Sequence, residues 1–173
     1  MTTYTIPLFP NSLIYKAIRV DYEDTFAIDI PSKKVIHPED LVPLFFDVFP
    51  SWFKVLMHLR ETIAKMIGLK TAHGIDIQAQ LDNFKGQKGE SIALFHVFDR
   101  SEEEILMGET DKHLDFRLSF FSKMKEANLY QVSLATTVQY NGFLGKLYFF
   151  FVKPFHRLIV PIILKKIAKR LEK

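Results

Sequence analysis

Residues 111–121 read DKHLDFRLSFF and split into two rows. Asp111, His113, Asp115, Arg117 and Ser119 alternate with Lys112, Leu114, Phe116, Leu118 and Phe120. Alternate residues of a β-strand face opposite sides, so one side would carry a histidine, two carboxylates and a guanidinium. A histidine beside a carboxylate can move a proton. A guanidinium can hold an anion. His113 and Asp115 would also present two metal ligands on one face, but a metal site needs three or four, and His96 is the only other histidine that falls on an expected strand. An antiparallel sheet with one solvated side has the same appearance. That is the reading adopted: the His113–Asp115–Arg117 row faces water, and the Leu114–Phe116–Leu118 row faces inward.

The surrounding elements must position these rows. YEDTFAIDI at 22–30 alternates as a first strand ended by Pro31. A short helix follows HPEDL, limited by Pro38 and Pro43. Trp52, Val55, Leu56, Leu59, Ile63, Met66 and Ile67 recur at helical spacing over 52–67, with His58 off that stripe and exposed. A third, short helix spans about 76–84, where Ile77, Leu81 and Phe84 share a face, and the GQKG after it reads as a connector. Strands then succeed one another: IALFHVF, EILMGET, HLDFRLSFF and LYQVSLATTVQY, joined by short polar turns as antiparallel hairpins require. With the last turn centred near Glu126, Leu114 would face Val138, Phe116 Thr136, Leu118 Leu134 and Phe120 Val132. A long C-terminal helix begins after Asn141–Gly142. Its prolines, Pro154 and Pro161, lie two turns apart, so their bends would add and carry the helix across a curved sheet.

Composition narrows the class. A chain of 173 residues with 48% apolar and 25% charged residues can build one globular core, so residues 1–173 read as a single domain. Seventeen phenylalanines imply a large core or an aromatic-lined cavity. The absence of cysteine removes disulfides, thiol nucleophiles and thiolate metal sites, and fits a cytoplasmic protein. The N-terminus has no signal-peptide pattern, and no charge-free apolar run approaches the ~20 residues of a spanning helix. Residues 146–173 carry a net +7 and residues 1–145 a net −4. The basic end is either a solvated helix terminus or a contact for an anionic surface. No G-x-S-x-G, H-E-x-x-H, dinucleotide or Walker pattern occurs. Nucleic-acid binding is not expected, because the bases lie at one helix end without interleaved aromatic platforms.

Four stretches carry a family resemblance: DYEDTF (21–26), IGLK (67–70), GETDKHLDFRLS (108–119) and GKLYFFFVKPFHRLIVP (145–161). Across about residues 20–165 the chain resembles a bacterial domain-of-unknown-function family, number 2867. The order of elements is similar to the helix-grip fold of the START and polyketide-cyclase-like (SRPBCC) superfamily. The resemblance implies an α+β helix-grip fold: a curved antiparallel sheet around a long C-terminal helix, with two shorter helices after the first strand. It also implies a hydrophobic or amphipathic small molecule held between sheet and helix. It transfers no catalytic motif and no cofactor.

The expected ligand-binding residues are Leu114, Phe116, Leu118, Tyr140, Tyr148, Phe151, Phe155 and His156, with no catalytic or metal residues and residues 69–90 as a lid. The Phe149–Phe151 run is open to two readings, cavity lining and ordinary core. Two other functions stand beside a non-enzymatic binding protein. One is a cyclase- or hydratase-type enzyme using His113, Asp115 or His156 as acid or base. The other is peripheral membrane contact through Lys165, Lys166, Lys169, Arg170 and Lys173.

Overall fold

The computed structural model describes residues 1–49 and 76–172. The chain is α+β, built on an open seven-stranded antiparallel sheet. Its strands are β1 (Tyr4–Thr5), β2 (Tyr22–Pro31), β3 (Ser91–Ile92), β4 (Phe95–Arg100), β5 (Glu104–Thr110), β6 (Leu114–Glu126) and β7 (Leu129–Tyr140). They lie in the order β1-β2-β7-β6-β5-β4-β3. The described helices are α1 (Pro38–Asp47), α2 (Ile77–Asn83) and α3 (Phe143–Leu171), with a 3-10 turn at Leu13–Lys16. The strand taken as first from sequence is therefore the second, because β1 pairs with it through Tyr4 and Thr5. The expected helix over 52–67, with His58, lies outside the described residues, as do residues 69–75 of the suggested lid.

The β6–β7 hairpin turns one position later than its sequence suggests. Asn128 takes a φ of 62°, a conformation asparagine tolerates. Leu114 consequently pairs with Tyr140, Phe116 with Val138, Leu118 with Thr136 and Phe120 with Leu134. The slip is two residues, so every side chain keeps its face.

The inner face of the sheet carries α3 and α1. Ile159, Val160, Ile163, Leu164, Ile167 and Ala168 of α3 are buried against Phe26, Ile28, Leu118, Phe120 and Leu134. Burying one such aliphatic side chain stabilises by about 1.5–3 kcal/mol, which makes this seam the main attachment of the helix. Phe45 of α1 packs edge-to-face on Phe120 at 5.3 Å and, with Phe46, meets Phe95. These phenylalanines thus supply core rather than one continuous lining.

α3 runs through both prolines, starting from Gly142 at φ 108°. At its entry, Gly145 packs on the chain preceding β6: a Cβ there would lie 1.8 Å from the His113 carbonyl oxygen. That oxygen also accepts from the Asn141 N–H at 2.9 Å, so it cannot retreat. Gly145→Ala would raise helix propensity on an open helix, yet here it should cost about 1–3 kcal/mol through overpacking. Urea unfolding checks this, and a variant as stable as the parent would contradict the contact.

Candidate functional site

Among the described residues, a group of polar side chains is buried on each face of the sheet. On the inner face, β2 directs Tyr22 and Asp24 toward α3, in the same row as Phe26, Ile28 and Ile30. The Tyr22 hydroxyl donates to Asp24 Oδ2 at 2.5 Å, and His156 Nε2 lies 3.3 Å from Asp24 Oδ1. One carboxylate therefore holds a strand tyrosine and a helix histidine together. Burial, reinforced by the Asp24 charge, pushes the Tyr22 phenol well above the usual tyrosine range. Phe149 closes the group, 4.8 Å from the Tyr22 ring and 5.7 Å from that of Tyr140. Thr136 is the cross-strand partner of both Asp24 and Leu118. Its hydroxyl is buried and has no hydrogen-bond partner among the described residues. A buried donor left unmade costs about 1–3 kcal/mol, so a fold retains one only where something offsets it.

The expected ligand residues divide around this group. Leu114 and Phe116 are half-buried on the inner face, with the Phe116 ring 5.2 Å from Phe95, and Leu118 lies in the core. Tyr140 and His156 join the Tyr22–Phe149 cluster, whereas Tyr148, just before Phe149 on α3, is half-buried outside it. Phe151 and Phe155 point to solvent, 61% and 47% exposed. A helix turns about 100° per residue, so once Phe149 and His156 face the sheet, Phe151 and Phe155 cannot. Tyr22, Asp24 and Thr136 went unnoticed in the sequence as site residues. Their signal was a tyrosine and an aspartate in an otherwise apolar strand row.

The outer face corrects the reading of the polar row as solvated. Arg117 and Ser119 are buried beneath residues 8–17. Leu8, Leu13, Ile14 and Ala17 pack on Leu106, Ala135 and Phe98, and Phe9 stacks on Phe121 at 4.5 Å. Glu104, only 2% exposed, anchors this roof. Its carboxylate accepts from Ser12 Oγ at 2.6 Å, the Leu13 N–H at 2.8 Å and Ser119 Oγ at 2.5 Å. The Arg117 guanidinium stacks on Phe98 at 3.7 Å and donates to the Glu109 and Phe116 carbonyls and to Thr110 Oγ1. Burial pulls it below the usual arginine range against the opposing pull of Asp115 and Glu109. Opposite it, Gly108 lets the backbones approach closely: a Cβ would lie 2.1 Å from the Phe116 carbonyl oxygen and 3.1 Å from Arg117 Cδ. A cavity of about 530 Å³ lies beside this group, with Leu13, Phe98, Asp99, Leu106 and Arg117 in its wall. Since the guanidinium is held by backbone and threonine oxygens, its geometry is that of a structural tie. His113 and Asp115 stay half-buried where β6 begins, and Asp115 accepts from the Asp111 N–H at 3.1 Å. His96 lies 3.4 Å from Glu109, and no group of three or more potential metal ligands forms among the described residues.

Over residues 17–163 the chain matches the family described as Protein of unknown function (DUF2867). The chain belongs to that family. No curated protein and no solved structure matches it. The DUF2867 match takes in Tyr22, Asp24, Thr136 and His156, the whole inner-face group, and begins at Ala17, the last residue of the roof segment that Glu104 anchors.

Glu104→Ala should free the roof. The expected loss is about 1.5–3 kcal/mol, the size of a hydrogen bond to a charged group, with faster amide exchange at Leu13 and Ile14. Unchanged exchange at those two amides would show that the apolar contacts hold the segment without the carboxylate.

Proposed function

We propose that this DUF2867 protein is a single helix-grip domain that binds an apolar or amphipathic small molecule between its sheet and α3. The carrying observation is the partnerless buried Thr136 hydroxyl beside the Asp24–His156 pair. A small-molecule site is mostly apolar wall with a few placed polar groups. Here Leu114, Phe116, Tyr140 and Phe149 would supply wall. Thr136, His156 and Tyr22 would meet the ligand's polar end. Phe151 and Phe155 leave the proposed lining, because they face away from the sheet.

Acid–base catalysis in the same place is the second reading, favoured by the His156–Asp24 pair. A carboxylate within reach of Nε2 orients the imidazole, the positioning a general base needs. Asp115 has no part in it, since it lies on the opposite face of the sheet.

Mass spectrometry of an organic extract, beside native mass spectrometry of the intact chain, tests both readings. The expected result is one reproducible small molecule in near-stoichiometric amount. Thr136→Val should leave the unfolding temperature unchanged or raised, because it removes an unpaired hydroxyl, and should lower ligand retention about tenfold. An empty parent protein, or a variant retaining ligand as the parent does, would contradict the binding site. Conversion of the extracted molecule by the parent, lost in His156→Gln with binding kept, would establish the catalytic reading.

A further inference from the structure

The first four turns of α3 have an outward face unlike any other surface of the described protein. Phe143, Leu147, Phe150, Phe151, Phe155 and Leu158 are all exposed, the phenylalanines at 143, 150 and 151 by 76%, 68% and 61%. At about 100° per residue they fall within a single arc of roughly 140°. Lys146, Lys153 and Arg157, all exposed, line one edge of that arc. Lys153 reaches over the Tyr22 ring at 5.0 Å, which keeps that edge close to the body of the protein. No acidic residue occurs anywhere in α3.

An amphipathic helix with exposed aromatic and aliphatic side chains beside cations is the form that lies in a membrane interface, apolar face sunk about 5–10 Å. By length and composition α3 could also cross a bilayer. Its second half is committed to the core, with Ile163, Leu164 and Ile167 fully buried, so spanning would require tearing the sheet's cover away. A second copy of the chain is a poorer occupant. Helix packed on helix would bring three cations from each partner together with no acid on either helix. An anionic bilayer supplies both an apolar layer and the counter-charge.

We infer that residues 143–158 dock the protein on the surface of an anionic phospholipid membrane. The attachment lies on the side of α3 opposite the proposed ligand site, and it stands whether or not that site holds a molecule. It also moves the membrane contact away from the basic C-terminus expected from sequence. There, Lys166 donates to the Val48 carbonyl at the end of α1 and Arg170 pairs with Asp47, so two of the basic groups already cap the fold.

Flotation of the full chain with phosphatidylcholine vesicles, with and without about a third phosphatidylglycerol, tests this. Three basic side chains near an anionic surface should give binding ~100-fold tighter than to neutral vesicles at low salt, weakening as salt rises. Phe150→Glu with Phe151→Glu should abolish flotation while the thermal melt stays that of the parent, since both side chains are exposed. Phe143→Ser, at the most exposed position, should weaken it without touching the core. Lys165→Glu with Lys169→Glu, at the other end of the helix, should leave binding within about twofold. Absence of flotation at low salt overturns the inference. So does binding that survives the Phe150/Phe151 change, or that is lost only in the Lys165/Lys169 variant. Dimerisation of the free chain that Phe150→Glu abolishes, without vesicle binding, would assign the face to a second copy instead.

Discussion

The seam between the second half of α3 and the inner face of the sheet sets everything else in this molecule. Ile159 through Ala168 form the longest continuous apolar contact of the helix, and a helix is stiff enough that anchoring one half fixes the rotation of the other. With Ile163 and Ile167 against the sheet, Phe149 and His156 must look inward over Tyr22 and Asp24. The same rotation turns Phe150, Phe151 and Leu158 to the outside. One helix thereby serves as core, as the cover of the Tyr22–Asp24 group and as an exposed apolar surface.

Buried charge is handled in the same manner on both sides of the sheet. Asp24 takes a tyrosine hydroxyl and a histidine on its two oxygens. Glu104 takes two serine hydroxyls and a backbone N–H. Each carboxylate compensates its loss of water by accepting charge-assisted hydrogen bonds. Each also ties a distant segment to a strand, α3 in one case and the N-terminal roof in the other. They differ in their neighbourhoods. Arg117, on the face of Glu104, donates to three oxygens of the fold, whereas Asp24 sits with the Tyr22 and His156 rings; a buried threonine hydroxyl without a partner among the described residues lies on each face, Thr136 on the inner and Thr137 on the outer.

Much of the sheet was legible from alternation alone. β5 and β7 occupy the stretches EILMGET and LYQVSLATTVQY, and the two-residue error in hairpin register changed no face. What alternation could not supply was the roof. Residues 8–17 contain one 3-10 turn and no periodic pattern, so nothing in them announces that they cover Ser119 and Arg117. Polarity then misleads, because serine, threonine and arginine are buried readily once partnered. Asp24 and His156 are 132 residues apart, and only the packed sheet and helix make them neighbours. The FFF run at 149–151 was equally mute: which phenylalanine faces the core depends on the seam at 159–168, a tertiary fact. The DUF2867 membership was legible from short strings such as HLDFR and PFHRLIVP, but those strings name a family without naming a chemistry.

The central claim is that α3 stays anchored by its second half while its first half meets another phase. Hydrogen exchange of the full chain, read peptide by peptide with and without anionic vesicles, addresses it directly. Amides in 143–158 should gain protection on vesicles, and those in 159–168 should be as protected as the central strands in both conditions. Loss of protection in 159–168 on vesicles would mean that the helix leaves the core to insert, and the division of α3 described above would be wrong.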